Sequence, residues 1–313
     1  MKRFIICLLL ICFAIASRAG DEVKRPRILG ISHINFYVSD LQKARRFYED
    51  FLGFGEPYDL KRADGSISLA FVKINDDQTI ELSTDPPRQA KQEGQLSHIA
   101  FFTDSAEGMR EYLASRGVKV PATVPKGRIG NLNFTVQDPD GHNVEIVQYV
   151  PESWARQQAG KYLPDSRIAT HMPHVGVTIA ALHPAMKFYG DLLGFHELWR
   201  GSSNGTVLSW VDMRVPDGQD YLEFMLYANP PDARSLGVMN HLCLVVPDMQ
   251  KAVDALKTRA AAADYKLPIE VHVGKNGKRQ ANLYDPDGTR VELMEADTVD
   301  GKAVPSSTAA PPR

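Results

Sequence analysis

The chain has 313 residues, 43% hydrophobic and 24% charged, an ordinary globular balance that allows about two domains and a sizeable core. Its formal charge is −2 and no basic tract stands out, which excludes nucleic acid as the expected partner. At the N-terminus, Lys2 and Arg3 precede an apolar run from Phe4 to Ala16, and Ser17-Arg18-Ala19 offers small residues for cleavage. Residues 1–19 therefore read as a secretory signal peptide, because the run is too short to cross a bilayer comfortably. An uncleaved anchor is the alternative. Cys12 follows Ile11, whereas a lipid-attachment cysteine needs a small residue before it. The expectation is an exported protein, periplasmic or extracellular, with no membrane attachment once the signal is removed. Loss of Lys2, Arg3 and Arg18 from 36 basic residues leaves 33 against 38 acidic ones, a net charge of −5. Only Cys243 remains after cleavage, so no internal disulfide can form.

The first segment after the leader, HINFYV from His33, alternates with period two and predicts a strand. Asp40 is placed to cap a following helix in which Leu41, Ala44, Phe47, Tyr48 and Phe51 fall at helical spacing, and Gly53 ends it. Strand-like SLAFVKI and QTIELS come next. A second round begins with HIAFFT at His98, continues through a helix around Glu107–Arg116, and ends in an Asp-Pro-Asp-Gly turn (138–141) before NVEIVQY. Residues 151–171 lack clean periodicity and read as a connector. The pattern then repeats: HVGVTI from His174, YLEFML around Glu223, HLCLVV from His241, and RVELME around Glu292 after a second Asp-Pro-Asp-Gly (285–288). Residues 297–313, rich in Ala, Pro, Ser and Thr, are expected to be a disordered tail.

Two levels of repetition are visible. RRFYEDFLGF (45–54) aligns with MKFYGDLLGF (186–195), and VQDPDGHNVEI (136–146) with LYDPDGTRVEL (283–293). The halves are thus one domain duplicated, and each half divides into two smaller modules. Each module opens on a histidine, and a strand glutamate follows 48, 47, 49 or 51 residues later: His33 and Glu81, His98 and Glu145, His174 and Glu223, His241 and Glu292. Period two places His33, Asn35 and Tyr37 on one sheet face and the apolar alternates on the other. Imidazoles and carboxylates are the usual ligands of a hard or borderline divalent metal. For any one pair, a satisfied core histidine and a solvated glutamate form the simpler account; four pairs in one chain favour a metal. His142, His171, His183, His196 and His272 lie off the repeat, and loop or surface roles are expected for them. Lys126 and Arg128, and Lys275, Lys278 and Arg279, form two basic loops that read as solvated charge or as a hold on an anionic substrate. Tyr284 reads as facing the histidine–glutamate cluster of the second half or as core.

These features resemble the vicinal oxygen chelate superfamily, which includes glyoxalase I, extradiol dioxygenases, fosfomycin-resistance enzymes and bleomycin-binding proteins. The resemblance covers nearly all of residues 28–296. It implies an α+β fold, a duplicated domain in which each half (28–150 and 172–296) pairs two βαβββ modules into a curved-sheet cup. It implies metal ligands His33, Glu81, His98 and Glu145 in one cup and His174, Glu223, His241 and Glu292 in the other. The ion would be a divalent metal (iron, zinc, nickel, cobalt or manganese), leaving about two positions on an octahedral ion for a small-molecule substrate with neighbouring oxygens. Glu223 and Glu292 are the expected catalytic carboxylates, one able to leave the metal as general base; family analogy places the active cup in the C-terminal half. The chemistry implied is a glyoxalase-like lyase or isomerase reaction. Extradiol dioxygenases use two histidines and a glutamate, matching His174, His241 and Glu292, but carry a catalytic histidine where this chain has Glu223 and a tyrosine where it has Asn282. A non-catalytic binder of the bleomycin-resistance type is a further alternative, although such proteins generally lack the metal ligands.

Overall fold

The computed structural model describes residues 23–86 and 94–312. The expected signal peptide lies outside the described residues, among which no helix is long and apolar enough to cross a membrane.

Each half forms one twisted sheet. In the first, β1 (Ile28–Tyr37) is followed by α1 (Leu41–Arg45), which runs on as a π-helix over Arg46–Phe51, then β2 (Gly55–Lys61), β3 (Ile67–Lys73) and β4 (Thr79–Ser83). Asp40 caps α1 by accepting from Lys43 N–H, as its position predicts. The second module gives β5 (Leu96–Thr103), α2 (Ala106–Ser115), β6 (Leu132–Gln137) and β7 (Asn143–Gln148). It is one strand short of the expected βαβββ. Only an isolated bridge between Lys126 and Leu132 stands where a strand would lie, because Pro121 and Pro125 deny the ladder its N–H donors. After the short α3 (Trp154–Gln157), the second half repeats the order: β8 (His171–Ile179), α4 (Leu182–Ala185) with a π-helical continuation over Met186–Leu192, β9 (His196–Gly201), β10 (Trp210–Arg214), β11 (Tyr221–Leu226), α5 (Ala233–Met239), β12 (His241–Val245), α6 (Met249–Arg259), β13 (Val271–Val273), β14 (Lys278–Tyr284) and β15 (Arg290–Thr298). The connector therefore ends where β8 begins, at His171, and β15 runs two residues, Asp297 and Thr298, into the expected tail. The remaining tail follows the second half, with Ala310 bridging Val207 and Ser307 N–H donating to Arg200 C=O at 2.9 Å.

The strand orders are β2-β3-β4-β1-β5-β7-β6 and β13-β14-β15-β12-β8-β11-β10-β9. In both, the two histidine strands pair antiparallel at the centre (β1 with β5, β8 with β12). A glutamate strand runs parallel outside each: β4 beside β1, β7 beside β5, β11 beside β8, β15 beside β12.

The halves are joined by an exchange of helices. The π-helical stretch of the first half packs on the second half's last module, where Phe51 stacks on Tyr265 at 4.3 Å. The corresponding stretch of the second half reaches the first half's last module, where Tyr112 O–H donates to Leu192 C=O at 2.8 Å. Each Asp-Pro-Asp-Gly turn accepts a buried tyrosine from the opposite half. Tyr48 O–H donates to Asp285 Oδ2 at 3.2 Å, and Tyr189 O–H to Asp138 Oδ2 at 2.9 Å. The second aspartate of each turn accepts a backbone N–H across the same seam, Asp287 from Ser39 and Asp140 from Ala180. Core residues of both halves form one continuous cluster. His142, off the repeat, belongs to this seam: its ring lies 2.9 Å from Asp138 Oδ2 and 3.1 Å from Thr178 Oγ1.

The two locks differ in charge. Burial pushes the Asp285 carboxyl up to about 7, with Asp287 beside it adding to the effect. Burial would raise Asp138 too, but hydrogen bonds and charge from His142 hold it below its ordinary value. Asp285 thus holds a proton in the folded chain that the unfolded chain releases above about pH 4. Its stabilisation is complete below that pH and is lost as pH rises through about 7. Asp285→Asn removes this dependence. Relative to wild type it should gain on the order of 2 kcal/mol between pH 5 and 8 in chemical denaturation. Asp138→Asn should instead cost about 2 kcal/mol at pH 7, since an amide N–H₂ facing Tyr189 and His142 loses an acceptor. Equal behaviour of the two variants across that range would contradict the assignment.

Candidate metal centre

The register of the central strands assembles the first cup. Asn35 lies opposite Glu81 on one side and His98 on the other, while Ala100 lies opposite His33 and Glu145. Paired residues share a face, so all four predicted side chains point into one hollow. His33 Nε2 and His98 Nε2 are 2.9 Å apart. Glu145 Oε2 is 3.4 Å from the first and 3.0 Å from the second. Glu81 stands slightly farther off, 3.5 Å from His33 and 3.8 Å from His98. Neighbouring ligands of one ion bound at about 2.1 Å are themselves roughly 3 Å apart, so the atoms of His33, His98 and Glu145, all within 4.8 Å of one another, fit a single divalent cation, with Glu81 beside them.

The atoms that do not face the centre are held from behind. Ser32 Oγ lies 3.1 Å from His33 Nδ1 and 2.7 Å from Tyr149 O–H, and Ser97 Oγ lies 3.2 Å from His98 Nδ1. A hydroxyl accepting the Nδ1 proton leaves the Nε2 lone pair aimed inward, the tautomer a metal needs. Asn35 Nδ2 donates to Glu81 Oε2 at 2.9 Å, and Asn133 Nδ2 donates to Glu145 Oε1. Burial alone would lower His33, but the Glu81 and Glu145 carboxylates beside it raise it above the ordinary histidine value. Burial alone would raise Glu145, but hydrogen bonds from His33 and His98 hold it below the carboxylate range. Imidazole and carboxylate thus partly offset one another in this cup, and a divalent cation would offset the buried negative charge more fully.

The second cup has the same register, with Gly176 in place of Asn35 and Cys243 in place of Ala100. His174 Nε2 and His241 Nε2 are 3.3 Å apart, and His241 Nε2 lies 3.4 Å from Glu223 and 3.7 Å from Glu292. The four expected residues converge here as well, but not alone. Asp212, opposite Glu223 where the first cup has Phe71, adds a third carboxylate. Arg290, two residues before Glu292 where the first half has Asn143, brings its Nη2 to 2.8 Å from His241 Nδ1 and 3.0 Å from Nε2. Gln280 does for Glu292 what Asn133 does for Glu145, donating at 2.7 Å. Burial pushes Glu223 well above its ordinary value and Asp212 up to about 8, the neighbouring carboxylates adding to both. Burial and the Arg290 charge push His174 and His241 well below the histidine range. Asp212 Oδ1 and His174 Nδ1 have no hydrogen-bond partner among the described residues. Atoms of His174, Glu223 and His241, and of His174, Cys243 and Glu292, lie within 4.8 Å of one another, but with a guanidinium against one of the two imidazoles this cup fits a metal less well than the first. It opens to a cleft lined by Trp199, Trp210, His272 and Lys275.

Exposure within the cups differs residue by residue. The His98 side chain keeps 18% of its surface exposed where His241 keeps 0%, whereas Glu223 keeps 14% where Glu81 keeps 7%. Of the other sequence candidates, His171 pairs with Asp220 at 2.8 Å, His183 and His196 are exposed, and Tyr284 lines a cleft with Lys43, Phe47 and Tyr265. Ser32, Ser97, Asn133, Gln280, Asp212 and Arg290 were not signalled by the histidine–glutamate pattern. Arg290 was visible as the Asn143 counterpart in the aligned Asp-Pro-Asp-Gly segments.

Comparisons with known proteins agree with this geometry. The pattern of the Glyoxalase/Bleomycin resistance protein/Dioxygenase superfamily matches twice, over residues 30–146 and 171–293. A lactoylglutathione lyase of Schizosaccharomyces pombe is 22% identical over 307 residues, spanning 85% of this chain and 96% of that protein. A probable lactoylglutathione lyase of Synechocystis is 28% identical over 121 residues, covering 37% of this chain and 92% of the relative. Among solved structures, homoprotocatechuate 2,3-dioxygenase from Brevibacterium fuscum, in complex with 3,4-dihydroxyphenylacetate, superimposes with a TM-score of 0.64 at 19% identity, covering 91% of this chain and 87% of that one. A catechol 2,3-dioxygenase gives 0.62 at 16% identity, covering 92% of each. The duplicated cups, their strand order and the twofold sequence match make this chain a member of the Glyoxalase/Bleomycin resistance protein/Dioxygenase superfamily.

Proposed function

We propose that the protein is an exported metalloenzyme whose reaction centre is the first cup, acting on a small substrate through two neighbouring oxygens by glyoxalase-like lyase or isomerase chemistry. The observation that carries this reading is the closed set of His33, Glu81, His98 and Glu145, with every ligand oriented from behind. A divalent ion held there would stabilise an enolate-like oxyanion on the substrate. The chain supplies the rest. Glu145, tied to both imidazoles and to Asn133, serves as a fixed ligand. Glu81, with the longer contacts, takes a proton from the carbon beside the substrate carbonyl and returns it at the neighbouring atom, so no net redox change occurs. This assigns the base to the first half, where the sequence had suggested Glu223 or Glu292 in the second.

Export rests on the leader, residues 1–19, and intact-mass analysis of secreted protein should show a chain beginning after Ala19. Ring cleavage is the second reading, supported by likeness of fold to the dioxygenases. It requires oxygen uptake on catechols by the iron-loaded protein. A metal-free binder is the third, and elemental analysis of purified protein separates it from both.

Variants divide the two carboxylates. Glu145→Gln should weaken metal retention roughly 10–100-fold. Glu81→Gln should keep the ion within a few-fold and lose at least about 10² in turnover, measured against a panel of hemithioacetals, hydroxycarbonyls and catechols. Metal loss of the same size in both variants would remove Glu81 from the role of base.

A further inference from the structure

We infer that Arg290 is a built-in replacement for the metal of the second cup, so that the protein carries one ion per chain, in the first cup. The inference rests on the reading of the first cup given above and extends it to the second.

Four observations point the same way. The His241 Nδ1 proton has a partner in Met239 C=O at 2.8 Å, which leaves the Nε2 lone pair as the one an ion would need. Arg290 Nη2 lies against the same ring, 2.8 Å from Nδ1 and 3.0 Å from Nε2, beside the place an ion would take, and a guanidinium is a permanent donor that cannot itself become a ligand. Gly176 is what permits this arrangement. A Cβ there would lie 2.0 Å from His241 Cε1 and 2.1 Å from Nδ1, so the imidazole occupies space that a side chain fills in the first cup. That side chain is Asn35, whose amide orients Glu81. Finally, the cup that gains the cation also gains an acid. Asp212 replaces Phe71 on the same face, opposite Glu223, while Arg290 Nη2 itself lies 3.9 Å from Glu292 Oε2. In the first half, Asn143 turns away and donates to Ser97 C=O at 3.3 Å, leaving the centre free. Three substitutions between the halves (Asn35 to Gly176, Phe71 to Asp212, Asn143 to Arg290) thus act together.

The test is metal stoichiometry. The full mature protein is loaded with excess Zn²⁺ or Mn²⁺, passed through a desalting column, and analysed for metal and protein. Wild type should hold about one ion per chain. His33→Ala should release it and His241→Ala should keep it. Arg290→Asn, which installs the residue of the first half, should raise the count to about two. Two ions in wild type, or a single ion lost with His241→Ala and kept with His33→Ala, would overturn this inference alone. So would a folded Arg290→Asn variant that stays at one. A wild-type chain with no ion would overturn the reading of the first cup along with it. Should Arg290→Asn fail to fold, the wild-type count and the two histidine variants still decide the matter.

Discussion

The antiparallel pairing of the two histidine strands at the centre of each sheet is the constraint on which the rest depends. Side chains repeat every second residue along a strand, so a slip of one position would turn every ligand to the opposite face. The register is held from both sides. Glutamate strands run parallel outside the histidine strands, and the apolar alternates, such as Ile34, Phe36, Ile99 and Phe101, are fully buried beneath. The cup is therefore a by-product of core packing. The hydrophobic face chooses the register, and the register delivers two imidazoles and two carboxylates to one point.

Convergence of those groups is costly without a counterion, and the two halves meet that cost differently. In the first, histidine and glutamate compensate one another, and hydroxyl and amide partners fix their outward atoms. In the second, a guanidinium shares the hollow with three carboxylates, all raised by burial, and Glu223 and Asp212 further by their carboxylate neighbours. The same scaffold thus holds an electrostatically matched site and an overcrowded one.

Much of this was readable from the chain itself. The duplication, the strand–helix order and the eight converging residues follow from period-two alternation and a histidine–glutamate spacing that recurs four times. The chemistry behind the ligands was less legible. Ser32, Ser97 and Asn133 act through one hydrogen bond each, and no periodicity marks a residue for its partner. The strand missing after α2 was foreshadowed by Pro121 and Pro125, yet composition alone did not separate a bridge from a short strand. The joining of the halves was hidden for a different reason. Tyr48 and Asp285 are 237 residues apart, and only a folded chain shows that each helix motif serves the turn motif of the other half.

That exchange bears on what resemblance between the halves means. The segments around Tyr48 and Tyr189 and around the two Asp-Pro-Asp-Gly turns meet at the seam, while in the hollows the histidines and glutamates repeat and the residues beside them differ. A seam of this kind keeps the shape of both cups whatever their remaining lining. A shared signature in such proteins is thus a mark of common architecture. Two hollows on one frame, moulded alike, can come to hold a metal in one and a side-chain cation in the other.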